Sequence, residues 1–596
     1  MTSPADGAPR RPTPADLRAV AGYLAGAVFV FGRLWRDPAG QLLSDNLQDY
    51  TQFEWVLAHA ARSVTHLENP LITYRLNSPD GVNMMANTSM LGATVPLTPV
   101  TLLFGPAVAL VLLLTLALAG TATAWYCVLS RHVVRSRTAA FVGGAFCGFA
   151  PGMISHANAH PNLIAQFLLP LLLWRIIRLR EPGRSVRNGL VVGLLVVYQA
   201  FLNEELLFVT ALAFAVFLAA YAPCRPAEIR QAVRPFLRGI AVAVAAAVPL
   251  LAYPLWVQFF GPQHYHGLPA VVAHYSADLA SFPAYSRASL AGHAEISNRI
   301  AQGPTEENAF FGWPLLALAV VIVIWLRREP VVRALAVTGG VFALFSLGSS
   351  VVLNGQETGI RGPWWLLEQL PVFDLVLTAR LALVTAASLG ILLAISLDRA
   401  LAVDPAGFVD RALAVDPPGV PVRLLWWGAV LAALLPLAPT PLPVADRPAV
   451  PHFITAGTWR RYVQHDDQTL VPMPLGWWGE LNEMRWAAQQ RLEFRIPNGY
   501  FLGPDPLVPG QTLFGTRQPP TSELILEVER SDLVPAIGDS ERQQARADLR
   551  RWNAAIVVVP ADNPHVQVLR RTLDLLLGTG QLVDDVWLWD VRNLSG

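Results

Sequence analysis

Long apolar runs recur through the first 440 residues of this 596-residue chain, and no other feature constrains its fold as strongly. A run of about 20 apolar residues crosses the hydrocarbon core of a bilayer as a helix. Only a helix, or a closed barrel, satisfies every backbone polar group where there is no water. Runs long enough, or nearly so, lie near 17–36, 104–129, 138–154, 162–179, 188–202, 206–222, 239–257, 311–326, 334–351, 378–397 and 424–440. They predict an α-helical polytopic membrane protein with about eleven transmembrane helices. Composition agrees, at 53% hydrophobic and only 15% charged, where a soluble chain carries roughly a quarter charged residues. The net charge of +1 makes no case for nucleic-acid binding. Cys127, Cys147 and Cys224 sit in or beside apolar segments without metal-ligand spacing and read as packing residues, with no disulfide framework.

Arginine sets the expected orientation, since the chain has no lysine. The clusters Arg131/Arg135/Arg137, Arg175/Arg178/Arg180/Arg184/Arg187, Arg225/Arg230/Arg234/Arg238, Arg327/Arg328/Arg333 and Arg399/Arg411/Arg423 occupy every second loop. With Arg10, Arg11 and Arg18, they place one set of loops and the N-terminus in the cytoplasm of a multi-pass plasma-membrane protein. An odd number of spans then leaves the C-terminus outside. Residues 1–16, rich in Pro and Ala, read as a disordered cytoplasmic tail, and 17–440 as the membrane domain. A repeat, Arg399–Gly407 recurring as Arg411–Gly419, reads as a duplicated linker. After 440, strand-like runs (469–472, 554–559, 586–590) alternate with helical ones (479–490, 540–552, 564–577). Residues 441–596 therefore predict one extracytoplasmic α/β domain. Its Trp477, Trp478, Trp486 and Asn498-Gly499-Tyr500 read either as sugar-stacking groups or as core.

The polar residues concentrate in loops on the outward side. The first loop, 37–103, opens with Ser44-Asp45-Asn46-Leu47-Gln48-Asp49-Tyr50 and adds Glu54 within ten residues. A helix starting near Asn46, with Asp45 at its N-cap, puts Asp45 and Asp49 on one face, where two like charges favour a proton, a cation or a polar substrate. The plain alternative is a capped amphipathic helix at the interface. The loop 155–161 carries His160 before a proline, placed either to touch substrate or to make a helix-start hydrogen bond. Glu204 and Glu205 turn a tight hairpin, so close to lipid that at least one is expected to face a polar cavity, as a second carboxylate or metal ligand. The loop 258–310 includes His264, Tyr265 and His266 and is suited to closing over a substrate, although its histidines lack zinc spacing.

Sugar transfer on the outer side of a membrane has no nucleotide sugars to use, so its donor must arrive on a lipid phosphate. The reaction needs a carboxylate to deprotonate the acceptor hydroxyl, a cation to stabilise the departing phosphate, and a groove for the lipid. Asp45 or Asp49 suits the first role. Arg380, opening the run 378–397 at the outer face, suits the second, with Arg361 as its rival; snorkelling into headgroups is the alternative for Arg380.

The arrangement resembles the GT-C superfamily of polyprenyl-phosphate-sugar-dependent glycosyltransferases. The features that carry the resemblance are Asp45-Asn-Leu-Gln-Asp49-Tyr after the first run and His160-Pro-Asn-Leu-Ile-Ala-Gln-Phe-Leu-Leu-Pro170. Two others are Leu370-Pro371-Val372-Phe373 ahead of Arg380 and Val471-Pro472-Met473-Pro474 near the end. The chain departs from that pattern after Arg380, where Leu381-Ala382-Leu383 replaces a second Arg or Pro. The resemblance implies an inverting transferase with a polyprenyl-phosphate sugar donor and an extracytoplasmic glycan, lipid or protein acceptor. A divalent cation, magnesium or manganese, remains open as a cofactor. Two other readings stay open as well: a non-catalytic scaffold of the same fold, and a lipid-linked glycan flippase or transporter, which would place charges within its spans.

Overall fold

The computed structural model describes residues 13–595 apart from 182, 273, 403–421 and 477–480. Arg10, Arg11, Trp477, Trp478 and the duplicated linker beyond residue 402 lie outside the described residues. Every apolar run named above contains helix, although 334–351 leaves its helix at Ser346 and ends in the strand Ser350–Leu353 and 162–179 is interrupted at 165–168; five helical segments are long and apolar enough to cross a membrane: Thr98–Val133, Pro161–Arg180, Glu204–Cys224, Pro226–Phe260 and Thr378–Ala402. The chain is a multi-pass membrane protein. Shorter apolar helices, among them Ser185–Ala200, Trp313–Trp325 and Pro330–Ser346, accompany these five. The first helix begins at Pro14, inside the stretch expected to be a tail. Thr13 and Asp16 cap it reciprocally, each side chain accepting the other's backbone N–H.

The chain divides into two units. Unit 1 comprises residues 13–36, 113–246 and 274–443, and unit 2 comprises 37–112, 247–272 and 444–595. In unit 1 the helix Ala382–Ala402 is buried along most of its length and packs against Arg137–Phe149 and Pro330–Ser346. Small residues permit the close approach: a Cβ added at Gly143 would lie 2.8 Å from the Gly390 carbonyl and 2.7 Å from the Ala394 Cβ. This is the contact that membrane helices favour, since lipid supplies no hydrophobic drive between them. At the end of that helix, the Asp398 carboxylate accepts from the backbone N–H groups of Arg135 (2.9 Å) and Ser136 (2.7 Å). It thereby anchors the N-terminus of Arg137–Phe149, where a helix dipole favours an anion. Cys147 is buried in this packing, as its reading as a packing residue expects.

Unit 2 is built on a four-stranded sheet in the order Gln581–Val583, Val586–Asp590, Ala554–Pro560, Thr469–Pro472. The last pair is parallel and the others antiparallel. The central strand, Ala554–Pro560, is buried on both faces. Ile556 and Val558 enter one core with Trp55, Phe453, Met484 and Leu588. Val557 and Val559, pointing the other way, join Val471, Ile525, Leu549 and Leu569. This two-residue alternation is that of any strand with both faces covered. Unit 2 is thus not confined to residues after 440. The helix Leu47–His66 supplies Trp55, Val56 and Ala58 to its core, and the strand Gln41–Leu43 pairs antiparallel with Val444–Asp446.

Candidate functional site

In unit 1, residues from four separate segments meet around Arg380. The 3₁₀ turn Thr378–Leu381 places it, held by the Tyr275 carbonyl, which accepts from the Thr378 hydroxyl (2.9 Å) and the Ala379 N–H (3.3 Å). Arg380 Nη2 donates to Glu306 Oε1 at 2.8 Å, and its Nη1 donates to Glu205 Oε2 at 3.1 Å. The Asn308 amide donates to Glu306 Oε2 at 2.9 Å. Glu205 is delivered by the Asn-Glu-Glu turn: Asn203 caps the helix Glu204–Tyr221, its side chain accepting from the Leu206 N–H at 3.0 Å. That cap sets both glutamates in the first turn, where the dipole favours them. Glu204 is half-buried beside it. One Glu205 oxygen, Oε1, is buried without a hydrogen-bond partner among the described residues.

Two histidines complete the cluster. His156 ends the helix Pro151–His156 and His160 follows one turn later, its N–H bonded to the His156 carbonyl at 2.9 Å. Their Nδ1 atoms stand 3.2 Å apart, and one ligand atom from each of His156, His160 and Glu306 lies within 4.8 Å of the others. The loop before Asn308 is clamped onto this helix by the Ser155 hydroxyl, which donates to the Pro304 carbonyl (2.8 Å) and accepts from the Glu307 N–H (3.0 Å). Glu307 itself pairs with Arg287.

Electrostatics organise these groups. Burial alone would raise the Glu306 carboxyl, but the Arg380 guanidinium outweighs it and holds the pKa at about 2. Burial pushes the His156 imidazole down to about 3, against the pull of Glu306, so at neutral pH it is an uncharged base with a lone pair. One guanidinium faces two carboxylates, leaving an excess of negative charge. Two imidazole nitrogens and a carboxylate oxygen form a donor set that fits a divalent ion of the zinc type, since magnesium prefers oxygen ligands.

An apolar groove of about 340 Å³ lies in the same unit, between Trp313–Trp325, Pro330–Ser346 and Ala382–Ala402. Phe282, Phe311, Ala343, Thr385 and Leu389 are among its walls. The cluster and the groove draw on the same two stretches of chain, 306–311 and 380–389.

The remaining sequence candidates lie elsewhere. Asp45 and Asp49 belong to unit 2, both half-buried. Asn46, not Asp45, is the N-cap of Leu47–His66, so Asp45 precedes the helix and Asp49 sits in its first turn. The third carboxylate of that stretch, Glu54, is structural: it is buried and receives both terminal nitrogens of Arg447 at 2.7 Å. Arg361 is on the exposed strand Gln356–Arg361, its guanidinium 4.3 Å from the Trp365 ring. The loop 258–310 is shared between the units. In unit 2, His264 Nδ1 lies 2.8 Å from the Gly261 carbonyl, the Tyr265 hydroxyl donates to the Ala86 carbonyl, and the His266 carbonyl accepts from the Thr512 hydroxyl at 2.7 Å. Trp486 and Tyr500 are core residues, with Tyr500 stacked on Phe514. Sequence reasoning did not single out Glu306 or His156. The signal for Glu306 was an acidic pair, Glu306-Glu307, just ahead of an apolar run.

The fold is that of the GT-C membrane glycosyltransferases. Over 98% of its length the chain superposes on the arabinofuranosyltransferase AftD from Mycobacteria, with a TM-score of 0.55 at 14% identity. It covers 42% of that longer protein. It also superposes on the oligosaccharyltransferase of Archaeoglobus fulgidus in complex with zinc and sulfate, with a TM-score of 0.50 at 13% identity, covering 91% of this chain and 68% of that one. ArnT from Cupriavidus metallidurans bound to undecaprenyl phosphate aligns at a TM-score of 0.47 and 12% identity, covering 97% of this chain and 98% of that one. No curated protein matches the chain by sequence. Residues 20–395 match the family described as Domain of unknown function (DUF6311), and the chain belongs to that family.

Proposed function

We propose that this protein transfers a sugar from a polyprenyl-phosphate donor to a glycan, lipid or protein acceptor on the outer side of the membrane. The observation that carries this reading is the cluster of Arg380, Glu306, Glu205, His156 and His160, in which Glu306 and His156 are buried and the other three half-buried. Charged groups at the mouth of an apolar bundle are costly unless they serve a polar ligand. The groove that shares its chain segments suits a lipid tail. Two of the structural relatives described above, AftD and the Archaeoglobus oligosaccharyltransferase, with TM-scores of 0.55 and 0.50, transfer sugars by their names, which supports the class of reaction.

Arg380 is assigned to the donor phosphate. Glu205, at 3.1 Å and 23% exposed, is its looser partner beside Glu306 at 2.8 Å and 3% exposed. An arriving phosphate therefore exchanges with Glu205 first, while Glu306 keeps the guanidinium aimed. His156, His160 and Glu306 would hold a divalent ion; zinc in the Archaeoglobus oligosaccharyltransferase structure is consistent with that. When bound, such an ion supplies positive charge that stabilises a leaving phosphate. The general base is assigned to Asp45 or Asp49 on the sequence argument, and attack opposite the leaving phosphate inverts the anomeric carbon.

The test is transfer from a polyprenyl-phosphate sugar by the purified chain. Asp→Asn at the base should lower turnover by roughly 10²–10⁴-fold. Arg380→Lys should retain part of the activity and Arg380→Ala very little, since lysine keeps charge but not the guanidinium fork. Unchanged turnover in Asp45→Asn, Asp49→Asn and Arg380→Ala would overturn these residue roles, and no transfer by the unaltered chain would make it a scaffold of this fold.

A further inference from the structure

Where the spans Thr98–Val133 and Pro161–Arg180 end, unit 1 gathers a second set of charges, separate from the Arg380 cluster. The first span finishes in a π turn, Leu129–Val133, closed by the Val134 N–H on the Leu129 carbonyl at 2.9 Å. Such turns are rare and are frequent at functional sites. This one carries Arg131 and His132. The His132 ring stacks on Trp174 of the other span, with centroids 4.6 Å apart and 16° between the planes. Arg175 and Arg178 reach the same indole, their guanidinium carbons 4.3 Å and 5.3 Å from its centroid.

Charge is unbalanced here. Glu181 is the one acid between residues 129 and 190. It is already taken, by Arg178 at 2.7 Å and Arg184 at 3.7 Å. Arg131, Arg175 and Arg187 make no ion pair among the described residues. Arg175 is within electrostatic reach of Arg178 and Arg187, and Arg131 and Arg175 are within that of His132. Like charges drawn together repel unless an anion joins them. A lone arginine at a span end needs no partner, since it snorkels to water. These converge on one ring from two segments of chain.

Depth and chemistry identify the anion. Two spans ending together put the cluster at headgroup level, where tryptophan is also favoured. Guanidinium forks match phosphate oxygens. Arg131, His132 and Arg187 are exposed and Arg175 is half-buried, so a ligand can reach them. From Arg187, Leu190 and Leu194 run inward on the same face of Ser185–Ala200, 47% and 57% exposed, a surface along which an acyl chain can lie.

We infer that this cluster binds the headgroup phosphate of an anionic phospholipid, held by Arg131, Arg175 and Arg187, with an acyl chain along Leu190 and Leu194. The inference depends neither on sugar transfer nor on which leaflet the cluster faces, because both leaflets present headgroups. The purified, delipidated full chain in detergent is titrated with phosphatidylglycerol, phosphatidylcholine or inorganic phosphate, and followed by native mass spectrometry and thermal melts. Phosphatidylglycerol should bind more tightly than phosphatidylcholine, whose choline offsets its phosphate. Arg131→Gln/Arg175→Gln should weaken phosphatidylglycerol about tenfold or more, each cation near an anionic headgroup being worth about fivefold. Arg327→Gln/Arg328→Gln, which removes the same charge from another arginine-bearing loop, should leave that binding unchanged. Should the first variant melt lower without lipid, Arg131→Gln/Arg187→Gln, at two exposed positions, replaces it with the same expectation. The inference falls if phosphatidylglycerol binds no more tightly than phosphatidylcholine, or if both charge variants weaken it equally. It falls too if inorganic phosphate stabilises the chain as fully as the lipid does, which would make the ligand a soluble anion.

Discussion

Arg380 has two carboxylate partners, and that pairing governs what its removal does. Breaking a buried pair from one side strands the other charge, which costs about 3–5 kcal/mol. Arg380→Ala should therefore lower the thermal stability of the purified protein, and adding Glu306→Gln should restore part of it by removing the stranded carboxylate. A double variant no more stable than the single would deny that Glu306 is the group left exposed to cost. Glu306 also makes a pH prediction. Its folded pKa of about 2 lies below the ordinary 4.5. Its stabilising share is thus fully present above about pH 4.5 and is lost as the pH falls toward 2. The stability gap between wild type and Glu306→Gln should shrink between about pH 5 and about pH 3, and a constant gap would contradict the pairing. Arg380 and Glu205 were legible in the sequence because charges at the ends of apolar runs are conspicuous. Glu306 and His156 were not, because a pairing between segments 150 residues apart is decided by packing, and no local pattern encodes it.

At the scale of elements, hydropathy encoded the membrane helices well, since a run of apolar residues has few alternatives in lipid. Strands 469–472 and 586–590 were also legible from β-branched and aromatic alternation. The helix Pro520–Ser531 and the edge strand Gln581–Val583 were missed, the first beginning within a proline-rich stretch and the second only three residues long. The helix Leu47–His66, for which an interfacial amphipathic helix is the plain alternative, enters the core of unit 2, anchored by Glu54–Arg447. Its two carboxylates should separate cleanly on substitution. Glu54→Gln unbalances a buried, bidentate pair and should cost several kcal/mol, about 3–5. Asp49→Asn, at a half-buried first-turn position, keeps the side chain's size and its capacity to hydrogen-bond and should cost less, its dipole interaction being worth about 0.3–1 kcal/mol. Denaturation of both variants, monitored through unit 2, would expose an error if Asp49→Asn proved the more damaging. In unit 1, Gly143→Leu should destabilise the bundle, because the new side chain meets the Ala394 Cβ and the Gly390 carbonyl, neither of which can turn aside. Gly143→Leu with a wild-type melt would mean that the helices separate without penalty.

The orientation of the whole molecule is argued from where arginine stands. Arg178, Arg180 and Arg184 cluster between the helices Leu169–Ile177 and Ser185–Ala200, Arg187 stands in the first turn of the latter, and Arg225, Arg230, Arg234 and Arg238 follow Glu204–Tyr221. The segments that alternate with these contain Asn203-Glu204-Glu205 and 155–161 and hold no arginine. Positive charge is retained on the cytoplasmic side during insertion, so this alternation predicts the arginine-rich segments inside. Glu205 and His160 are then expected on the opposite side, as the proposed use of a lipid-phosphate donor outside the cell requires. The eleven crossings expected from the sequence would carry residues 444–595 outside. Leu533, 69% exposed near the end of Pro520–Ser531, is a suitable reporter. In a chain with Cys127, Cys147 and Cys224 replaced by alanine, Leu533→Cys should react with a membrane-impermeant maleimide in intact cells, and Arg184→Cys only after permeabilisation. The reverse pattern would turn the protein over and place the Arg380 cluster on the cytoplasmic side, where nucleotide sugars are available and a lipid-phosphate donor is no longer required.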